Sequence, residues 1–292
     1  MTGGRYYFFT SGLGAGFVRD SDPQKWIYKE HTRVKHELLD KYLYGWLWIL
    51  GTRHPRLLIV DGFAGRGEYE DGSKGSPLII LEKAARLVEQ KRVDEVWCVF
   101  VERNQENIEN LNKVLKAQWA DHEGVRVFGP YGEPFEDVAK KVITKLGAGM
   151  PPSFWFVDPF GFTGISFEIL STIMSLRRSE LFVNLMLRDI HRFLEHPELS
   201  SSFDRLFGSP DWRELTGPSG AREGQILELR DFYARRMRSI GCKVTVFRVA
   251  SDKNSHTLYC LVHATKSCAG RWLMKDIMNS QGTQGVFEYL GP

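Results

Sequence analysis

Short uninterrupted apolar runs alternate along this chain with longer stretches in which apolar residues recur every three or four positions. The runs ending at Val60, Val101, Phe128, Val157 and Leu187 are rich in β-branched and aromatic residues, and they predict buried strands. Between them, His31 to Leu50 places Val34, Leu38, Leu39, Tyr42, Leu43 and Trp46 on one helical face, with Thr32 set to cap its start. Ser76 and Pro77 predict a second helix, as N-cap and first helical residue. Further helical patterns follow Glu102 as far as Leu115 and cover Pro134 to Leu146 and Ile165 to Leu176. Strands alternating with helices predict a parallel sheet covered on both faces, because parallel strands need crossovers and those crossovers are right-handed.

The rhythm breaks after the fifth strand. Pro197, Pro210 and Pro218, with short apolar groups such as Phe203, Leu206 and Phe207, predict a small inserted helical subdomain or lid at about 189–222. Glu223 to Ile240 then reads as a helix. Lys243 to Ala250 and Thr257 to Ala264 read as two strands whose polar connection suits an antiparallel hairpin. Lys266 to Asn279 closes the pattern as a helix. At the other end, residues 1–24 combine an aromatic cluster, Tyr6 to Phe9, with a glycine-rich stretch, and read as an arm ahead of one domain at 25–292.

Composition narrows the class without naming a function. The 292 residues include no apolar run long enough to cross a membrane and no secretory pattern at the start, so a cytoplasmic protein is expected. A formal charge of +3 permits a polyanionic partner and does not require one. Cys98, Cys242, Cys260 and Cys268 make no CxxC pair, so neither a zinc site nor a disulfide framework is expected.

Candidate chemistry collects where strands end. Asp61, Glu102 and Asp158 each stand at the carboxyl end of a strand, the place where open α/β sheets bind ligands. In the turn Asp61-Gly62-Phe63-Ala64-Gly65-Arg66-Gly67, the glycines let the backbone curve closely round a ligand. Asp61 would hold an ammonium there or fix the turn. An NAD fingerprint would open directly into a helix, whereas Gly67 is followed by the polar Glu68-Tyr69-Glu70. Glu102 is placed to accept from a ribose diol, and Arg103 to flank an adenine. Lys35 and His36 sit at the polar edge of the first helix, either as solvated residues or near the pocket. Arg188 and Arg192 follow the fifth strand and are candidates for a substrate phosphate.

Taken together, a parallel sheet ending in an antiparallel hairpin and a DxFxGxG turn resemble the class I S-adenosylmethionine-dependent methyltransferase fold. The resemblance implies a doubly wound, seven-stranded, Rossmann-type sheet with S-adenosylmethionine cradled by Asp61, Gly62, Phe63, Ala64, Gly65, Gly67, Glu102 and Arg103. The tetrapeptide Asp158-Pro159-Phe160-Gly161 is similar to the Asp, Asn or Ser, two prolines and an aromatic carried by amino-nitrogen methyltransferases of that fold. There the polar residue and a backbone carbonyl orient the amine and the aromatic stacks on a base. Here the aromatic comes one position early, so Phe162 could share the stacking with Phe160. The same tetrapeptide resembles that of tRNA guanine N2-dimethyltransferases.

In order along the chain, HTRVKHELLDKYL, DGFAGRG, KGSPL, FVE, FVDPFG and ATKSCAGRWLMKDIM resemble the three-Cys-motif partner (TcmP) family over about Lys29 to Asn279. That resemblance implies a methyltransferase-like fold and a separate radical-S-adenosylmethionine-like partner protein carrying three cysteines. The leading expectation is therefore methylation of a nucleobase amine in RNA or DNA without a metal. The alternatives are an accessory protein for the three-cysteine partner and a small-molecule or peptide methyltransferase.

Overall fold

A computed structural model describes residues 6–11, 14–19, 28, 30–120, 122–215, 222–250, 256–282 and 288–289. Within the expected N-terminal arm, β1 (Tyr6–Ser11) and β2 (Gly14–Arg19) pair as an antiparallel ribbon; the rest of that arm lies outside the described residues.

The helix expected at 31–50 is α1 (Glu30–Gly51). It starts before Thr32, which is therefore a helical residue and not its cap. The five apolar runs become β3 (Arg56–Asp61), β4 (Glu95–Val101), β5 (Val125–Tyr131), β6 (Ser153–Val157) and β7 (Ser179–Leu185). Adjacent members pair in parallel, and α2 (Ser76–Glu89), α3 (Gln105–Gln118), α4 (Phe135–Leu146) and α5 (Phe167–Ser175) make the crossovers. The cap of α2 is Gly75 rather than Ser76. Its amide donates to the Gly67 carbonyl at 2.8 Å, and a Cβ there would lie 2.8 Å from that same oxygen, so only glycine brings the loop back this closely.

After β7 come α6 (Leu187–Arg192), a 3-10 turn, α7 (Ser200–Phe207), a second 3-10 segment and α8 (Arg222–Ser239). Then β8 (Lys243–Ala250) and β9 (Thr257–Thr265) pair antiparallel, and α9 (Cys268–Gln281) follows, capped by the Ser267 hydroxyl on the Gly270 amide at 3.1 Å. The sheet order is β10-β8-β9-β7-β6-β3-β4-β5, with β9 antiparallel to β7 as well. Among the described residues this sheet has eight strands, not the seven expected. The extra one, β10 (Glu288–Tyr289), runs parallel to β8 at Arg248 and Val249, where the Glu288 carboxylate meets the Arg248 guanidinium at 3.1 Å. The sheet is thus Rossmann-like and doubly wound.

Alternation along β3 divides the core. Leu58 and Val60 face a layer with α4, α5, α7 and α8, while Leu57 and Ile59 face one with α1, α2 and α9. Of the segment expected as an insertion, residues 216–221 with Pro218 lie outside the described residues, and the rest joins the first layer. Phe203, Leu206, Phe207 and Trp212 are buried there beside Phe167 and Tyr233, so its apolar residues are core and do not stand off as a lid. Across the second layer, at the amino end of β7, Glu180 accepts from the Tyr42 hydroxyl and lies 3.1 Å from His263 Nε2; all three side chains are buried. No helix among the described residues is long and apolar enough to cross a membrane.

Candidate functional site

Strand β3 has β4 on one side and β6 on the other, so the chain winds outward from it in both directions. A doubly wound sheet leaves a crevice at the carboxyl ends of such a pair. Register then fixes what lines it. Asp61 is level with Phe100 of β4 and Phe156 of β6, which puts Glu102 and Asp158 each two residues beyond that row. The three acids expected from the sequence therefore share one edge.

The glycine turn is held from below. The Ala64 amide donates to the Val101 carbonyl at 2.8 Å and the Gly65 amide to Glu102 Oε2 at 2.8 Å. Gly65 and Gly67 have φ of 65° and 89°, in the left-handed region where a side chain is strained. At Gly62 a Cβ would lie 2.6 Å from the Phe135 ring. The other oxygen of Glu102 accepts from the Asn104 amide at 2.7 Å. Each carboxylate oxygen carries two lone pairs, so the residue that braces the turn still has acceptor capacity for a diol.

Asp61 is fully buried. Oδ1 accepts from the Phe63 amide at 3.2 Å, and Oδ2 has no hydrogen-bond partner among the described residues. Burial pushes its pKa up to about 7, against the opposing pull of the Ser76 hydroxyl and the Phe63 amide, and the nearby Asp158 and Glu102 add to the rise. The Ser76 hydroxyl acts on this carboxyl as a neighbouring dipole and makes no well-formed bond to Oδ2. An acid in this state needs either a proton or a cation.

Asp158 already has its cation, and a donor on each oxygen. Its Oδ2 accepts from the Lys35 ammonium of α1, in an ion pair with little solvent exposure on either side, and its Oδ1 accepts from Asn184 Nδ2 at 2.7 Å. Asn184 comes from β7, where Val183 pairs with Val157, the residue before Asp158. Its own Oδ1 is buried without a hydrogen-bond partner among the described residues. Sequence reasoning weighed Lys35 and missed Asn184. A polar residue inside the apolar run ELFVNLML was the available signal.

Aromatic side chains close one flank. Tyr28 and Tyr69 meet edge-on with centroids 4.9 Å apart, and the His36 ring lies 5.6 Å and 6.0 Å from them. Burial lowers the His36 pKa to about 3, helped by the charge on Lys35, so this imidazole is neutral at pH 7. Burial also raises the Tyr69 hydroxyl, with Asp158 the next contributor, so Tyr69 stays protonated. Its loop is folded back by the Tyr69 amide on the Ser73 carbonyl at 2.8 Å.

The remaining expectations separate. Pro159 follows Asp158 out of β6, and Phe160 is 58% exposed at the lip. Phe162 corrects the sequence reading: it is 5% exposed, with its ring 4.8 Å from Phe203 and 5.9 Å from Phe193, and offers no face to a base. Phe63 packs on Phe135 at 5.7 Å and so wedges the turn from beneath. Arg103 is exposed just past Glu102. Arg188 and Arg192 are exposed on α6, the first with Nε 3.8 Å from Asp189 and the second with its guanidinium 5.4 Å from the Phe193 ring.

No family model matches the chain, and no curated protein matches it. Among solved structures it is similar to precorrin-6y C5,15-methyltransferase from Geobacter metallireducens, at 15% identity over 84% of this chain and 92% of that one, with a TM-score of 0.38. It is similar to an rRNA methylase from Streptococcus thermophilus at 10% identity, over 82% and 98% of the two chains, with a TM-score of 0.38. A third is magnesium protoporphyrin IX methyltransferase from Synechocystis with bound SAH, at 13% identity, 86% and 90% coverage and a TM-score of 0.39. Likenesses this loose say nothing of what the present chain binds, and its chemistry is argued from its own crevice: a Rossmann-like cleft in which a buried, unpartnered carboxylate oxygen lies beside a glycine turn and a second carboxylate.

Proposed function

We propose that the crevice holds S-adenosylmethionine and that the protein methylates an amino nitrogen of a nucleobase in RNA or DNA. The observation that carries the reading is Asp61, a carboxyl buried beside the Gly62–Gly67 turn with Oδ2 unpartnered. The ammonium of the cofactor's amino-acid end would supply the missing cation, in a charge-assisted bond that contributes roughly 1.5–3 kcal/mol. Glu102 would take the ribose hydroxyls with the lone pairs its backbone contacts leave over, and Arg103 would lie along the adenine. When bound, the cofactor supplies a methyl group activated by its sulfonium. This chain's own residues then need only position the acceptor and exclude water.

For that task Asp158 is held in place by Lys35 and Asn184, each using one of its oxygens. The remaining lone pairs would accept from the target amine, and Phe160 at the lip would stack on the base. Arg188 and Arg192 would meet its phosphate. Asp158→Ala is expected to lower methyl transfer to nucleic acid on the order of a hundredfold or more, with cofactor affinity little changed. Lys35→Met should reproduce much of that loss, because Asp158 would lose the cation that fixes it. Transfer of labelled methyl by purified protein, with calorimetry on S-adenosylmethionine, reads both; full transfer by Asp158→Ala would remove the assigned role.

The Lys35 ion pair also favours a second reading. If it keeps Asp158 fully occupied, the chain binds the cofactor and serves a three-Cys-motif partner without methylating by itself. Transfer that begins only when such a partner is added would select this reading, and transfer by the isolated chain would reject it.

A further inference from the structure

The opposite end of the sheet carries a different charge. Level with one another across three strands are Glu180, Thr265 and Lys243. Arg177 and Arg178 precede β7 at this edge, Lys266 follows β9, and Arg271 lies in the first turn of α9. The turn after α1 adds Arg53 and His54, and the Arg178 carbonyl accepts from the Ser153 amide at 3.0 Å, tying the 177–178 loop to β6 next to β3. His54 reports how closely these groups gather: burial is the largest cause of its lowered pKa, followed by the charges of Arg178, Arg53 and Arg177.

Six cations here, Arg53, Arg177, Arg178, Lys243, Lys266 and Arg271, make no ion pair among the described residues, and all but the half-buried Lys243 are exposed. The acid in their midst does not neutralise them, because Glu180 is buried and engaged by Tyr42 and His263. On the neighbouring strand ends, by contrast, Arg56 and Arg126 share Glu95. Like charges left together without counterions cost free energy in the free protein, and a polyanion relieves that cost. Arg178 is also held at φ 61°, a left-handed conformation that a non-glycine residue seldom adopts.

We propose that this amino-end face of the sheet is a docking surface for the phosphodiester backbone of a nucleic acid. It lies a strand length, roughly 20 Å, from the crevice, so it is a separate anchor that a small-molecule substrate could not reach from there. Arginine predominates among the six, and its planar fork suits phosphate oxygens. Ile49 on the last turn of α1 and Trp272 near the start of α9 are exposed, two side chains and not the apolar stripe with which a helix enters a bilayer. The inference stands whether or not the crevice binds S-adenosylmethionine.

Fluorescence anisotropy with a labelled DNA duplex and a labelled RNA hairpin, across a salt series, tests the surface. The parent should bind both, with log affinity falling linearly in log salt. Combining Arg53→Gln, Arg177→Gln and Lys266→Gln should weaken binding about tenfold or more and reduce the DNA slope by about 2.7, that is about 0.9 for each lost phosphate contact. Arg178→Gly, which removes a charge where glycine is at ease, should weaken binding without lowering the melting temperature. Lys113→Gln, Lys116→Gln and Lys140→Gln together, on α3 and α4, should leave the slope unchanged. The proposal is overturned if the parent binds neither nucleic acid at low salt, if it binds phosphatidylserine vesicles instead, or if the two triple variants weaken binding alike.

Discussion

Asp61→Asn is expected to make the ligand-free protein more stable at pH 8 while removing the S-adenosylmethionine binding proposed for the crevice. The folded-state pKa of Asp61 is raised to about 7 from an ordinary 3.8, chiefly by burial. The folded protein therefore keeps a proton that the unfolded chain releases between about pH 4 and pH 7. Over that window stability falls as pH rises, and it levels off once the folded carboxyl is itself ionised. At 1.36 kcal/mol per pKa unit the full loss is on the order of 4 kcal/mol, an upper bound because the unfolded chain and local relaxation take up part of it.

Asparagine keeps an acceptor for the Phe63 amide and has no charge to desolvate. The variant's melting temperature should lack the decline between pH 4 and pH 7 and exceed the parent's at pH 8, by about 2–4 °C for each kcal/mol recovered. Calorimetry at pH 8 should show no S-adenosylmethionine binding, since the ammonium would lose its counterion. Equal destabilisation by Asp61→Asn at pH 5 and pH 8 would mean that the carboxylate is not the strained group described here. Sites that carry such strain are where a protein gives up stability for function.

The second large effect lies far from the crevice. Glu180→Ala is expected to destabilise the fold by about 3–5 kcal/mol, a large share of the 5–15 kcal/mol that typically holds a domain together. It would strip the Tyr42 hydroxyl and His263 Nε2 of their shared acceptor in the buried layer between the sheet and α1, leaving Tyr42 only its long contact to the Gly270 carbonyl at 3.5 Å. Gly270→Ala should behave similarly from the other side. Its Cβ would lie 2.7 Å from Glu180 Oε1 and 3.0 Å from the Tyr42 hydroxyl oxygen, so the carboxylate must swing away from its partners. Urea unfolding midpoints measure both. An unchanged midpoint in Glu180→Ala would show that the three groups find other partners, and a double mutant no worse than the more damaging single one would confirm that they act as a unit.

Where the ends of strands carried the signal, the sequence was legible. LLIVDGFAGRG could be placed because its apolar run, its acid and its glycines are contiguous and each answers to local backbone physics. Strand β8 was read to its exact bounds and β9 to within one residue, since alternation and turn residues are local too. The two-residue β10 was not seen, for it exists only because the edge of β8 and Arg248 are there to receive it. Phe162 was misjudged for the same reason: an aromatic after DPFG looks alike from the sequence whether it faces a pocket or Phe203.

The sequence by itself determined the order of strands and helices, the position of the glycine turn and the three acids at the carboxyl ends. Apolar periodicity and glycine conformations depend on near neighbours in the chain. Only the tertiary structure decided the state of those acids. Lys35 reaches Asp158 across 123 positions and Asn184 across 26, whereas Asp61 is left with an unpartnered oxygen. It also gathered Arg53, Arg177, Arg178, Lys243, Lys266 and Arg271 on one face, because the parallel strands and β8 start at this edge and the antiparallel β9 ends there. Desolvation and charge act through space, and their partners are chosen by the fold.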